Sequence, residues 1–76
     1  MILQEQFGKR VRELRLAKGL SQEALALKAE LDRTYMTGIE NGKRNVSIQN
    51  IGKVIAALEI SIQDFFTTDI FEGIDE

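Results

Sequence analysis

Arg33, Thr34 and Thr37 stand on a short segment that opens at Asp32 and closes at Gly42. At helical spacing they lie on one broad side, while Met36 and Ile39, three apart, occupy the other. A guanidinium beside two hydroxyls is not a bond-making set. It is a set of hydrogen-bond groups suited to base edges and phosphate oxygens. Arg33 also stands in a first helical turn, where the helix dipole favours acids over bases, so its presence there points to a use outside the helix itself.

A second helical pattern lies three residues upstream. Leu20, Ala24, Leu25 and Leu27 predict a helix that starts near Ser21, whose hydroxyl can cap the first free N–H groups, and ends near Lys28 or Ala29. Glu30 and Leu31 then bridge to Asp32, a second good N-cap. Gly42 ends the following helix, because glycine takes the left-handed conformation beyond a helix C-terminus without steric cost. Two short helices joined this tightly, with a polar, Arg-bearing front on the second, predict a helix-turn-helix. In that arrangement the N-terminal residues of the second helix enter a major groove.

The rest of the chain must hold this pair in place. A helix over Leu3 to Lys18 is predicted from Phe7, Val11 and Leu14, with Gly19 as its stop. Ser47 opens a fourth helix carrying Ile48, Ile51, Val54, Ile55 and Leu58 and ending near Glu59. Ser61 caps a short fifth helix with Ile62, Phe65 and Phe66. Ile70, Phe71 and Ile74 then have no obvious place in a small monomer core; they finish that core or, with Ile60, Phe65 and Phe66, form a dimer surface. The expected fold is all-α, a compact five-helix bundle in a single domain over residues 1 to 76, with 69 to 76 an acidic C-terminal tail.

Composition narrows the function classes. Seventy-six residues suit one domain near the lower size limit for independent folding. With no Cys and no His, the chain lacks disulfides, thiolate metal sites, the commonest general base and the commonest zinc ligand. No Gly-rich phosphate loop is present either, so neither an enzyme nor a cofactor is expected. No stretch approaches the ~18 apolar residues of a membrane span and no leader pattern opens the chain, so a cytoplasmic protein without membrane contact is expected. The net charge of −2 conceals an uneven distribution. Residues 69 to 76 hold four acids and no base, leaving residues 1 to 68 at +2. Local potential on one face, rather than the sum, is what a phosphate backbone meets. Lys9, Arg10, Arg12, Arg15 and Lys18 crowd the first helix, and Arg33, Lys43 and Arg44 flank the second helix of the motif.

The order of these motifs resembles a family. From Phe7 to Phe66 the chain is similar to the five-helix DNA-binding domain of lambda repressor and Cro, through LRLAKGLSQEALA, Ile39-Glu40-Asn41-Gly42 and the Ser47-led helix. Asp32-Arg33-Thr34-Tyr35 followed by Lys43-Arg44-Asn45 resembles, more narrowly, the controller proteins of restriction–modification systems. The resemblance implies a homodimer on a palindromic double-stranded operator and autogenous activation or repression of an operon that contains a restriction endonuclease gene. By matching positions it implies base reading by Arg33, Thr34, Thr37 and Arg44, the last shared with phosphate. Phosphate contacts fall to Gln22, Tyr35, Asn41, Lys43 and Asn45. It pairs Arg15 with Glu40 as a structural ion pair. Gly38 departs from relatives that place a long polar side chain there to touch a base. Activation implies contact with RNA polymerase, for which Glu23 and Glu30 are candidates against their plain reading as helix-solvating acids. A different class of function, an antitoxin or protein-binding module, would make the apolar acidic tail the active part.

Overall fold

The computed structural model describes residues 2 to 72. Five helices follow one another: α1 Ile2–Ala17, α2 Gln22–Ala29, α3 Arg33–Glu40, α4 Ile48–Ala57 and α5 Ile62–Phe66, with a 3-10 turn over Asp69–Phe71. No strand occurs among the described residues.

The helix starts are written by short polar side chains. Ser21 Oγ accepts from the Ala24 N–H at 3.0 Å, Ser47 Oγ from Asn50 at 3.1 Å and Ser61 Oγ from Asp64 at 3.0 Å. Asp32 Oδ2 accepts from two amides, Thr34 at 2.8 Å and Tyr35 at 3.3 Å. Each cap satisfies donors that a helix leaves without an internal partner. The helix ends use left-handed residues. Gly19 and Gly42 take φ of 69° and 71°, as glycine readily does, but Glu30 and Glu59 also adopt φ of 58° and 57°. At Glu30 the conformation is held by two closing bonds, Glu30 N–H to Leu27 C=O at 3.1 Å and Leu31 N–H to Ala26 C=O at 2.9 Å.

The core joins Phe7 and Val11 of α1, Leu25, Ala26 and Ala29 of α2, Met36 and Ile39 of α3, Val54, Ile55, Ala57 and Leu58 around α4, and Phe65 of α5. The Phe7 and Phe65 rings lie 5.3 Å apart between centroids. α1 and α3 touch at Gly8, where a Cβ would stand 2.2 Å from the Ile39 carbonyl oxygen. The missing side chain therefore sets how closely α3 sits on the long helix.

Three apolar residues read as core from sequence are not in it. Leu27 is 79% exposed, because it lies two residues, about 200° of helix, from Leu25. The buried face of α2 is carried instead by Leu25, Ala26 and Ala29. Ile48 is 85% exposed at the first position of α4, and Ile62 is largely exposed at the first position of α5. Phe65 corrects the expected interface set: it has no exposed surface and sits in the core against Phe7, Phe66 and Phe71. Ile60 and Phe71 are half-buried against the same core. Ile70 is half-buried, and its carbonyl accepts from Gln6 Nε2 at 2.7 Å, which fastens the 69–71 turn to α1. Phe66 keeps 38% of its surface exposed. Ile74 and the last acids of the tail lie outside the described residues.

Candidate nucleic-acid interface

The turn between α2 and α3 places two helix fronts side by side. Gln22, the first residue of α2, donates from Nε2 to Glu40 Oε1 at 3.1 Å and accepts at Oε1 from the Thr37 hydroxyl at 2.9 Å. One amide therefore ties the start of α2 to the middle and end of α3. Beneath it, Arg15 holds Glu40 with two bonds, Nε to Oε2 at 2.7 Å and Nη2 to Oε1 at 3.0 Å, and gives Nη1 to the Leu20 carbonyl at 2.8 Å. The Arg15 and Glu40 side chains retain only 9% and 1% exposure. Removing one partner would leave the other charge buried and alone, so the pair fixes α1 to α3 as a unit.

With its inner side held, α3 presents Arg33 and Thr34 to solvent at its N-terminal end. Asn41, Lys43, Arg44 and Asn45 follow at its other end, all exposed. Arg44 is not free-standing: its guanidinium carbon lies 5.4 Å from the centre of the Tyr35 ring. Tyr35 is half-buried, and its hydroxyl accepts from Asn50 Nδ2 at 3.2 Å, leaving the phenol proton available to an outside acceptor. The Asn45 side chain accepts from Gln4 of α1, which ties the loop after α3 to the start of the first helix. A rigid rod thus offers a guanidinium and a hydroxyl at its tip and two further cations beyond its far end. That set can donate to base edges and phosphate oxygens, and it contains no proton-transfer or nucleophilic pair.

Comparison with known proteins agrees with this geometry. Residues 11–65 match the helix-turn-helix family model. The control protein C.MunI of Mycoplasma sp is 48% identical over 62 residues, covering 80% of this chain and 84% of that protein. The control protein C.BamHI of Bacillus amyloliquefaciens is 49% identical over 65 residues, covering 82% and 80%. Among solved structures, the restriction-modification controller protein C.AhdI from Aeromonas hydrophila superposes with a TM-score of 0.82 at 52% identity, over 87% of this chain and all of that one. The controller protein C.Esp1396I, solved as a tetramer in complex with its natural 35 base-pair operator, gives 0.83 at 39% identity over 87% of each chain. The chain belongs to the helix-turn-helix controller family.

Within this controller fold the structure brings Gln22, Thr37, Glu40 and Arg15 into one connected network, and Tyr35 and Arg44 into another. Thr37 is half-buried with its hydroxyl proton committed to Gln22, which leaves its methyl and its remaining acceptor capacity for any outside partner. Arg10 is a residue that sequence reasoning missed. From sequence it is one of several cations crowding the first helix, yet it donates to the Phe65 carbonyl at 2.7 Å and the Asp64 carbonyl at 2.8 Å, closing the end of α5. Only the pairing of distant segments places it there. Gly8, Gln4 and Asn50 were missed as well. A helix-interior glycine such as Gly8 is a local signal of close approach, whereas Gln4 and Asn50 carry none.

Proposed function

We propose that this chain is a sequence-specific transcriptional regulator that binds a two-fold symmetric double-stranded operator as a homodimer and controls a restriction–modification operon, itself included. The observation that carries this reading is the exposed Arg33–Thr34 pair at the tip of a helix whose far end is locked by the buried Arg15–Glu40 bridge. The control proteins and the operator-bound tetramer to which the chain is similar support it.

Arg33 donates two hydrogen bonds to O6 and N7 of a guanine, and Thr34 meets a thymine methyl or a phosphate. Lys43, Asn41, Asn45, Gln22 and the Tyr35 hydroxyl fix register on the backbone, and Arg44 serves both base and phosphate. The residues act as one DNA-binding domain in the cytoplasm. One short helix covers few base pairs, so discrimination needs two copies about 34 Å apart, one turn of duplex. Phe66, with Phe71 beside it and the half-buried Ile60 and Ile70, supplies apolar surface for the second copy. Catalysis has no part in this reading, and contact with RNA polymerase through Glu23 and Glu30 is its activating branch.

Selection of bound duplexes from a random pool tests it, with sedimentation of the free protein alongside. A symmetric motif with half-sites one turn apart and a dimer in solution are expected. A pool that shows no enrichment at low ionic strength overturns the assignment. A restriction endonuclease reading frame next to the gene is the expected genomic setting.

A further inference from the structure

Gly38 lies in the interior of α3, a helix of eight residues, where glycine is the least favourable choice after proline. What it provides is space. A Cβ there would stand 2.6 Å from Arg44 Cγ and 3.1 Å from Arg44 Nε, so the Arg44 side chain crosses the helix at the one position that has no side chain of its own.

The backbone delivers Arg44 to that crossing. Gly42 donates to the Ile39 carbonyl at 3.1 Å and Lys43 to the Gly38 carbonyl at 2.9 Å, with Gly42 left-handed at φ 71°. This pair of bonds closes the helix and folds the chain back along its own surface. The guanidinium then rests on the Tyr35 ring, and the Tyr35 hydroxyl is held by the side-chain amide of Asn50 of α4, whose backbone N–H donates to Ser47 Oγ. A free arginine loses many rotamers when it docks, whereas one already laid across a helix and stacked on a ring loses fewer.

We propose that Gly38 and Asn50 are positioning residues for sequence reading. Gly38 opens the path by which a loop arginine crosses the recognition helix. Asn50 sets the ring that clamps it, so that Arg44 reads the base pair a side chain at position 38 would otherwise face. The proposal rests on the operator-binding reading above and adds that the reach of the second arginine is decided by residues that need not touch DNA.

The experiment is selection from a random duplex pool, sequenced to give a preference at each position, for wild type, Arg44→Ala, Gly38→Ala, Asn50→Ala and the doubles with Arg44→Ala. Arg44→Ala is expected to erase preference at one base pair per half-site. Gly38→Ala lowers preference at that same pair by about tenfold and leaves the pair read by Arg33 unchanged. Asn50→Ala lowers it in the same place by a smaller factor. In the Arg44→Ala background neither substitution changes the profile further, which a merely structural role would not reproduce. Alanine is the better helix former, so Gly38→Ala keeps or raises the thermal midpoint, and circular dichroism separates loss of preference from loss of fold. An unchanged profile for either variant overturns the proposal. So does a loss spread over all positions, a loss that persists without Arg44, or an Arg44→Ala profile equal to wild type. A wild-type protein that enriches nothing overturns the underlying DNA-binding reading instead, and is told apart because the wild-type profile is itself flat.

Discussion

α2 and α3 are built to the same length, eight residues each, and both begin on a side-chain cap and have a left-handed residue within two positions of their end, Glu30 and Gly42. Their surfaces differ. α3 is sharply divided, with Met36 and Ile39 buried on one side, Arg33 and Thr34 exposed on the other at the N-terminal end, and Glu40 buried at the C-terminal end. α2 is not: it buries Leu25, Ala26 and Ala29 while Leu27 stands in solvent. A reading helix must grip the core with one side and leave the other free for a partner, so its two sides have opposite chemistry. A supporting helix needs only to be slim, and Ala26 and Ala29 let it approach the core closely.

The comparison predicts where damage should be greatest. Glu40→Ala strands the Arg15 guanidinium under α3 and should cost about 3–5 kcal/mol of stability in urea unfolding. Replacing both partners, Arg15→Leu with Glu40→Leu, should recover most of that. If the single variant unfolds at the wild-type midpoint, the bridge is not what seats the reading helix.

The outer side of α3 should fail differently, in binding with the fold intact. Arg33→Ala is expected to cost about 1–3 kcal/mol on the preferred duplex and to relax preference at one base position, whereas Lys43→Ala weakens all sequences alike and flattens the salt dependence by about one unit of slope. A salt titration with preferred and scrambled duplexes separates them. Equal losses on both duplexes for Arg33→Ala would remove it from base reading.

The two caps should rank next. Ser21→Ala and Asp32→Ala each cost about 1 kcal/mol in thermal unfolding, with Asp32 the larger because one carboxylate serves two amides of α3. Equal or reversed losses would mean that the reading helix is no more dependent on its cap than the supporting one.

Glu30, at the left-handed end of α2, offers a gain. Glu30→Gly relieves the steric strain of φ 58° and should raise stability by about 0.5–1 kcal/mol.

The smallest effect belongs to the solvent side of α2, where Lys28 reaches Glu59 at 2.9 Å. The hydrogen bond from Lys28, then its charge and that of Lys18, hold the Glu59 carboxyl below its usual range. A lowered folded-state value means that the stabilisation is present above the unfolded carboxylate range and is lost as pH falls through the folded value. Glu59→Gln should therefore lower the midpoint slightly near neutral pH at low salt, and match wild type in acid or at high salt. A difference that survives high salt would show more than a screened surface pair.

Much of this was legible in the residues because it is local. Ser21, Asp32, Ser47 and Ser61 mark the helix starts through a hydroxyl or carboxylate that reaches only two or three residues ahead, and Gly19 and Gly42 mark ends through their own backbone freedom. The exposed front of Arg33 and Thr34 follows from helical period alone. What failed was the face of α2, where Leu27 was counted with Leu25 although two residues turn a helix nearly to its opposite side. Phe65 failed for another reason: an aromatic near the end of a chain reads equally as core or as interface until its neighbours are known.

Caps, period and local charge are properties of a few consecutive residues, so the chain alone settled the five helices of the described residues, the tight pairing of the second and third, and the cationic front that opens the third. Which partner each long side chain finds depends on segments brought together from far apart. Arg15 on Glu40, Arg10 on the carbonyls of α5, Gln22 on Thr37 and Arg44 across Gly38 each link residues on different elements. Only packing decided those, because a guanidinium or an amide on a flexible stem has many possible partners within reach, and burial selects one.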